Sequence, residues 1–469
     1  MRFSAATTAE RLLPERLASA VQPWLRHADE LFLATDERGE AGRMSVIAFA
    51  IRIVNAAIAF ISQVLLARWM GSFEYGIFVL VWVTMIILGN LACFGFHTSV
   101  IRFIPEYRER GMWAEMRGIL FASRVFTLLS STAVAGVGLA GLWWFSPSLE
   151  SYYVVPFYLG LICLPMITLS DTLQGISRAN AWALSALSPT YLVRPILILL
   201  FMATALALGF SPDAKTAITA AILATYATTL WQLVTVSTRA DQRAEPGPRR
   251  YLPRAWIAVS MPIFLVEGFF FLLTNADVLM VGRFMAPDDV AIYYAAVKTL
   301  ALVHFVYFAV KTGAAQRYAR ISHGSGAEEL SDFARETVSW TFWPSLFMAL
   351  VVLAIGDPML RLFGPGFEAG YPLLFVLVIG VVARAAVGPA ESLLTMTGNQ
   401  NVCAVVFAVT LALNVALNFA LIPSYGLWGA ALATSLAMVV EACALALVVW
   451  KKLGIVMMIF VPAHQNGKS

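Results

Sequence analysis

The sequence predicts an all-α membrane protein: 12 transmembrane helices in two parallel six-helix bundles around a central cavity. Three observations predict it. Of 469 residues, 60% are hydrophobic and only 13% are charged, more apolar surface than one or two soluble cores can hide. Twelve apolar runs are each long enough to cross the roughly 30 Å of hydrocarbon in a bilayer. A short passage also occurs twice, as "ARWMGSFEYGIF" from Ala67 and as "GRFMAPDDVAIY" from Gly282.

The chain opens with a polar extension over residues 1–43, without the apolar core of a secretory signal. Within it, Leu12–Phe32 reads either as a short amphipathic helix on the membrane surface, weakened by Pro14 and Pro23, or as a floppy tail. The twelve spans centre near Ala57, Ile86, Ser131, Gly160, Leu197, Ala224, Phe269, Phe305, Ala349, Ile379, Ala412 and Ala437. The first six-helix bundle is expected over 44–237 and the second over 255–452. A charged cytoplasmic linker at 238–254 joins them, and 453–469 forms a cytoplasmic tail. With the N-terminus inside, the inner segments carry 23 of the 32 basic residues, and the outer loops carry only Arg68, Lys215, Arg283 and Arg361. That bias places both termini in the cytoplasm.

The repeat relates the two halves. Its copies fall at the outer ends of spans one and seven, and each enters the next span. Arg68 aligns with Arg283, Met70 with Met285, Glu74 with Asp289 and Ile77 with Ile292. "RANAW" at Arg178 echoes "NQNVC" at Asn399, and "AAILAT" at Ala220 echoes "GAALAT" at Gly429. Two halves of like orientation imply a pseudo-twofold axis along the membrane normal, a cavity between them, and transport by rocking. Pro189, Pro195, Gly388 and Pro389 interrupt spans five and ten, where each proline removes a backbone hydrogen bond and permits a bend.

Several functions are disfavoured. Cys93, Cys163, Cys403 and Cys443 lie in apolar runs without metal or disulfide spacing. The five histidines are scattered, and no P-loop or dinucleotide fingerprint is present. Every predicted outer loop is short. No catalytic residue, cofactor or metal is expected, and no nucleic acid partner.

Charges inside spans are the candidate site residues, because a midspan charge costs roughly 3 kcal/mol unless it meets a polar cavity or a partner. The cations are Arg52, Arg124, Arg194, Lys298 and Arg384, and the deep carboxylates are Glu267, Glu391 and Glu441. Asp171 and Asp277 lie nearer span ends. Excess cations in a cavity suit an anionic cargo, and guanidinium forks suit phosphate oxygens. Arg52 and Arg124, near inner ends, alternatively snorkel to the surface. The carboxylates serve either to couple transport to H⁺ or Na⁺ or as counter-charges to the cations. Arg384 and Glu391 are seven apart, so they share one helical face and can pair with each other or through neighbours.

At this point the sequence resembles a known family. "RIVNAAIAFISQVLLARWMGSFEYGIFVLV" in spans one and two, "TNADVLMVGRFMAPDDVAIYYAAVK" at span seven and "GPGFEAGYPLLFVLVIG" before span ten look like polysaccharide flippases. So does "MTGNQNVCAVVFAVTLALNVALNFALIPSYGLWGAALAT" near the end. These belong to the multidrug/oligosaccharidyl-lipid/polysaccharide exporter superfamily, and the resemblance covers about Arg43 to Leu453. It implies a bacterial inner-membrane flippase moving lipid-linked oligosaccharides on undecaprenyl diphosphate by alternating access. Membrane lipids and a polysaccharide polymerase or export complex are the further implied partners. Asn275 and Asp277 match the family's polar pair in span seven, with a gating, structural or cargo role, and Arg52 and Asn55 would face the cavity. Rival readings are a multidrug cation exporter, a major-facilitator carrier and a membrane glycosyltransferase or polymerase. The first prefers a carboxylate in span one, where Arg52 stands. The second lacks its loop motif in "RFIPEYRERGMWAEMRG", and the third lacks a large outer loop.

Overall fold

A computed structural model describes residues 37–243, 247–324 and 327–459. The proposed surface helix at 12–32 and most of the C-terminal tail lie outside the described residues. The chain forms two units, Met1–Ala59 and Phe60–Ser469. The described residues of the first, 37–59, are helical. The bundle contacts, the seam and the cavity lie within the second.

The described residues are almost wholly helical. The first half holds α1 (Glu37–Ala92), α2 (Phe96–Glu109), α3 (Trp113–Phe145), α4 (Ser151–Ala179), α5 (Ala183–Ser188), α6 (Arg194–Ala207) and α7 (Ala214–Arg243). The second holds α8 (Pro253–Leu273), α9 (Ala276–Phe284), α10 (Pro287–Gly324), α11 (Ala327–Arg361), α12 (Tyr371–Ala385), α13 (Ala390–Met396), α14 (Gln400–Tyr425) and α15 (Leu427–Leu453). Eleven stretches among the described residues are long and apolar enough to cross a membrane. The first of them, Ala56–Ala92, breaks at Gly71, whose φ of 76° and ψ of 171° lie outside the helical region. Its two arms are the first two spans, which makes twelve among the described residues.

Local chemistry sets the breaks. Gly71 in the first copy of the repeat and the extended Met285 in the second end one span and start the next. Pro287 then opens α10, where a missing N–H costs nothing. Asp213 precedes α7 and accepts the Thr216 N–H at 2.8 Å, while the Ser211 hydroxyl donates to its other oxygen at 2.8 Å. Burial alone would raise the Asp213 carboxyl. These bonds and neighbouring Lys215 outweigh burial and hold it below the usual carboxylate range. Gly454, at φ 69°, closes α15 behind Lys451 and Lys452, which complement the helix dipole.

Packing follows sequence order within each half. α3 lies on α4, α4 on α7 and α6 on α7, while α10 lies on α11, α12 on α15 and α14 on α15. The largest apolar cluster joins the halves: Tyr75, Phe78 and Met85 of α1 share it with Val281, Tyr293 and Phe367.

The two copies of the repeated turn meet at the end predicted to be outer, forming a seam. The Ser72 hydroxyl donates to Asp288. Arg68 Nε donates to the Leu362 carbonyl at 2.6 Å, and Tyr75 rests edge-on against Tyr294. A Cβ on Gly76 would lie 1.8 Å from the Pro287 carbonyl oxygen, so only glycine permits this approach. The repetition noticed in the sequence is therefore the seam between halves.

Candidate functional site

Away from that seam, a cavity of about 710 Å³ lies between the halves. The first half contributes Asn90 of α1, His97 and Thr98 of α2, and Arg178 of α4. The second contributes Glu267, Phe270 and Phe271 of α8, Phe308 and Lys311 of α10, Glu391 and Thr395 of α13, and Phe407 of α14. Aromatic walls with a few convergent charges are the usual make-up of a ligand site, and the volume suits a polar headgroup.

One wall bridges the halves. Start residues of α2 reach across to α8. The His97 imidazole lies 3.2 Å from Glu267, and the Thr98 hydroxyl donates to the same carboxylate at 2.9 Å. Below it the Ser260 hydroxyl donates to Ser99 at 2.7 Å, and the Trp256 indole N–H donates to the Tyr107 hydroxyl at 2.9 Å. Gly95, at φ 75°, allows the crossing: its Cβ would stand 2.4 Å from the Ser260 carbonyl.

A charge network runs inward from Lys311, which lies 5.1 Å from the Phe270 ring centroid. Lys311 Nζ lies 2.9 Å from Glu391 Oε1. Arg384 Nη2 lies 3.8 Å from the same oxygen and 3.2 Å from Glu441 Oε1. The Tyr307 hydroxyl donates to the other oxygen of Glu391. The guanidinium of Arg384 also sits over the Tyr307 and Phe270 rings, 4.9 and 5.2 Å from their centroids. Arg384, Glu391 and Glu441 are almost fully buried, whereas the Lys311 side chain is 30% exposed to the cavity. Glu391 Oε1 is held by Lys311, whereas Arg384 Nη2 and Glu441 Oε1 are within ion-pair distance without completing a hydrogen bond.

The expectation that Arg384 and Glu391 share one helical face needs correction. The helix ends at Ala385 and restarts at Ala390, with Gly388 at φ 66° and Pro389 between. Pro389 has no N–H to continue the ladder. The two charges approach across this break within a single span, with Lys311 and Glu441 as further partners.

The other expected site residues are dispersed. Arg194 is buried inside the first half, where its Nη2 donates to Ser170 Oγ at 2.9 Å and Ser170 donates to Gln232 at 3.1 Å. Arg124 Nε donates to the Leu120 carbonyl at 2.7 Å, and its Nη1 donates to Ser237 of α7. Lys298 lies 4.8 Å from the Tyr294 ring centroid. Asp277 accepts the Tyr293 hydroxyl at 2.9 Å, and Asn275 Nδ2 donates to the Phe271 carbonyl at 2.9 Å, repairing the break between α8 and α9. The side chains of Arg52 and Asn55 lie outside the described residues. Of the expected set, Glu267 and Glu391 line the cavity, and Arg384 and Glu441 stand behind Glu391.

Three titratable residues lining the cavity were not among the expected site residues: Lys311, Arg178 and His97. Lys311 and Arg178 read as charges of inner segments. The available signal was Tyr307, one helical turn before Lys311 in a helix of 38 residues, long enough to keep that lysine in the bundle. Among the described residues, no cluster of three or more His, Cys, Asp or Glu could hold a metal.

Comparisons with known proteins agree with this architecture. A family model described as "Polysaccharide biosynthesis protein" matches residues 42–315, and one described as MatE matches residues 262–420. No curated protein matches the chain by sequence. Among solved structures, an inward-facing multidrug resistance MATE transporter of the MOP superfamily is similar at 14% identity. It covers 85% of this chain and 94% of its own, with a TM-score of 0.73. The lipid II flippase MurJ in an inward closed conformation is similar at 15% identity, covering 86% and 87%, with a TM-score of 0.66. An outward-facing MATE transporter gives 13% identity, 87% and 95%, and a TM-score of 0.61.

Proposed function

The chain belongs to the polysaccharide biosynthesis protein family, and we propose that it is a flippase for undecaprenyl-diphosphate-linked oligosaccharide in the bacterial inner membrane. The observation that carries this reading is the cavity between the halves, with Lys311 and Arg178 at its surface and a closed seam at the opposite end. A diphosphate in hydrocarbon is costly, and a polar lumen removes most of that cost. Lys311 and Arg178 would meet the phosphates, while the isoprenoid stays among membrane lipids. The solved flippase of similar fold is named for a lipid-linked cargo, lipid II.

Alternating access is the mechanism. The cytoplasmic end loads first, with the Gly76–Pro287 seam shut. The halves, 44–237 and 255–452 joined by the linker 238–254, then rock until the seam parts. Nothing covalent happens, so no catalytic residue is needed. Surface polysaccharide assembly consumes the delivered unit, which makes a polymerase or export complex the expected partner.

A second reading rests on the Glu267 carboxylate, 39% exposed in the cavity beside Phe270 and Phe271. A carboxylate among aromatic rings also suits an organic cation, as in a drug exporter, and the second half matches the MatE family model. Deleting the gene and complementing it separates the two. The flippase reading expects lipid-linked glycan to build up on the cytoplasmic face, with rescue by wild type and at least tenfold weaker rescue by Lys311→Gln and Arg178→Gln, since each loses a charge-assisted contact of about 1.5–3 kcal/mol. Unchanged glycans together with heightened sensitivity to organic cations would select the exporter.

A further inference from the structure

We propose that an anionic headgroup in the cavity draws Lys311 away from Glu391, and that Glu391 takes up one proton in exchange. The inference rests on the flippase reading of the same cavity and adds what couples cargo to protons.

The argument is one of charge balance. Without cargo, Lys311 and Arg384 offset Glu391 and Glu441. Lys311 is the member exposed to the cavity, and the other three are buried. A phosphate oxygen competes for the lysine from the open side. Once Nζ turns to it, a single guanidinium faces two buried carboxylates. A net negative charge left in that setting is expensive. Protonation of Glu391 at Oε1, the oxygen Lys311 vacates, restores neutrality. The proton comes from hydronium in the cavity water: one of its O–H bonds breaks and leaves a neutral water as the Glu391 O–H bond forms, and Lys311 keeps its own proton.

The surroundings favour this site over its neighbours. Around Glu391, α10 presents Lys311, Tyr307 and Tyr318, α12 presents Arg384, with His304 of α10 beside it, α15 presents Glu441 and α14 presents Cys403. The cavity lining adds Arg178, His97 and Glu267. Arg384 lies nearer Glu441, at 3.2 Å, than Glu391, at 3.8 Å, so Glu391 depends more on the lysine. Arg384 Nη2 and Glu441 Oε1, 3.2 Å apart, complete no hydrogen bond with each other. A carboxylic O–H at Glu391 would supply a donor for that unfinished network.

The matched positions in the first half are themselves uncharged, though the buried cation Arg194 donates to one of them. By the offset that pairs Ala220 with Gly429, Gln232 stands where Glu441 stands. By the offset that pairs Arg178 with Asn399, Ser170 stands where Glu391 stands. Ser170 and Gln232 are joined by a hydrogen bond. The Glu391–Glu441 pair of carboxylates is therefore peculiar to the second half, where the first half has Ser170 and Gln232 with Asp171 and Arg194 as the neighbouring charges.

The test uses the full chain in lipid nanodiscs with farnesyl diphosphate as probe. Calorimetric titration at one pH, in two buffers of different ionisation heat, counts protons taken up per probe bound. Subtracting the Glu391→Gln count removes the probe's own titration. Wild type is expected to take up about one proton more than Glu391→Gln, and Lys311→Gln to bind at least about tenfold more weakly. Equal counts, with the Lys311→Gln loss intact, would overturn the exchange and leave the flippase reading standing. A drop in Glu441→Gln instead would overturn the assignment to Glu391. Failure of wild type to bind the probe would overturn both readings. If Glu391→Gln does not fold, the infrared carbonyl band of a protonated carboxyl, raised by probe in wild type, reads the same event, and its absence overturns the proposal.

Discussion

Arg384→Ala is expected to destabilise the protein by about 3–5 kcal/mol, because it leaves Glu391 and Glu441 buried beside a single outlying lysine. Removing one member of a buried ion network costs more than the network contributes, since the orphaned charge stays desolvated. The loss should appear as a lower midpoint of thermal unfolding in detergent and poorer yield from membranes. The triple variant Arg384→Met, Glu391→Gln, Glu441→Gln should recover much of that loss, as it removes the charges together. A single Arg384→Ala variant as stable as wild type would show that the network is hydrated and that its burial has been misjudged.

The second large effect concerns the seam. Gly76→Leu should force the outer ends apart, because even a Cβ at Gly76 overlaps the Pro287 carbonyl, which is backbone and cannot rotate away. Overpacking of this kind costs about 1–3 kcal/mol. That penalty falls only on the seam-closed state, so the equilibrium should move roughly 5- to 150-fold toward seam-open. Spin labels at Leu149→Cys and Leu362→Cys, both exposed, in a Cys443→Ser background, would report it. A longer distance in Gly76→Leu is expected. An unchanged distance in a folded variant would mean that the two turns do not gate the outer face.

Much of the architecture was legible in the sequence. Span number follows from the length of apolar runs, and the repeat of Arg68–Ile77 in Arg283–Ile292 foretold a twofold arrangement. Its meaning as a contact was not legible, because a repeat shows which segments correspond and not which of them touch. The charge network was half legible. Arg384, Glu391 and Glu441 stood out because midspan charges are costly. Lys311 was hidden by its place near the end of a hydrophobic run, where a lysine ordinarily reaches for water. Arg194 shows the opposite failure. It looked like a cavity residue, yet Ser170 receives it inside one bundle, and short hydroxyl partners leave little trace in a hydropathy pattern.

The central claim is that the cavity between the halves carries a lipid-linked anionic headgroup across the bilayer. It is tested most directly by reconstituting the purified chain in liposomes with a fluorescent polyprenyl-diphosphate saccharide and adding a membrane-impermeant quencher. Wild type should expose the inner-leaflet pool to quenching faster than empty liposomes, with Lys311→Gln and Arg178→Gln slowed. Inner-leaflet fluorescence that persists equally with wild type and with no protein would contradict the account.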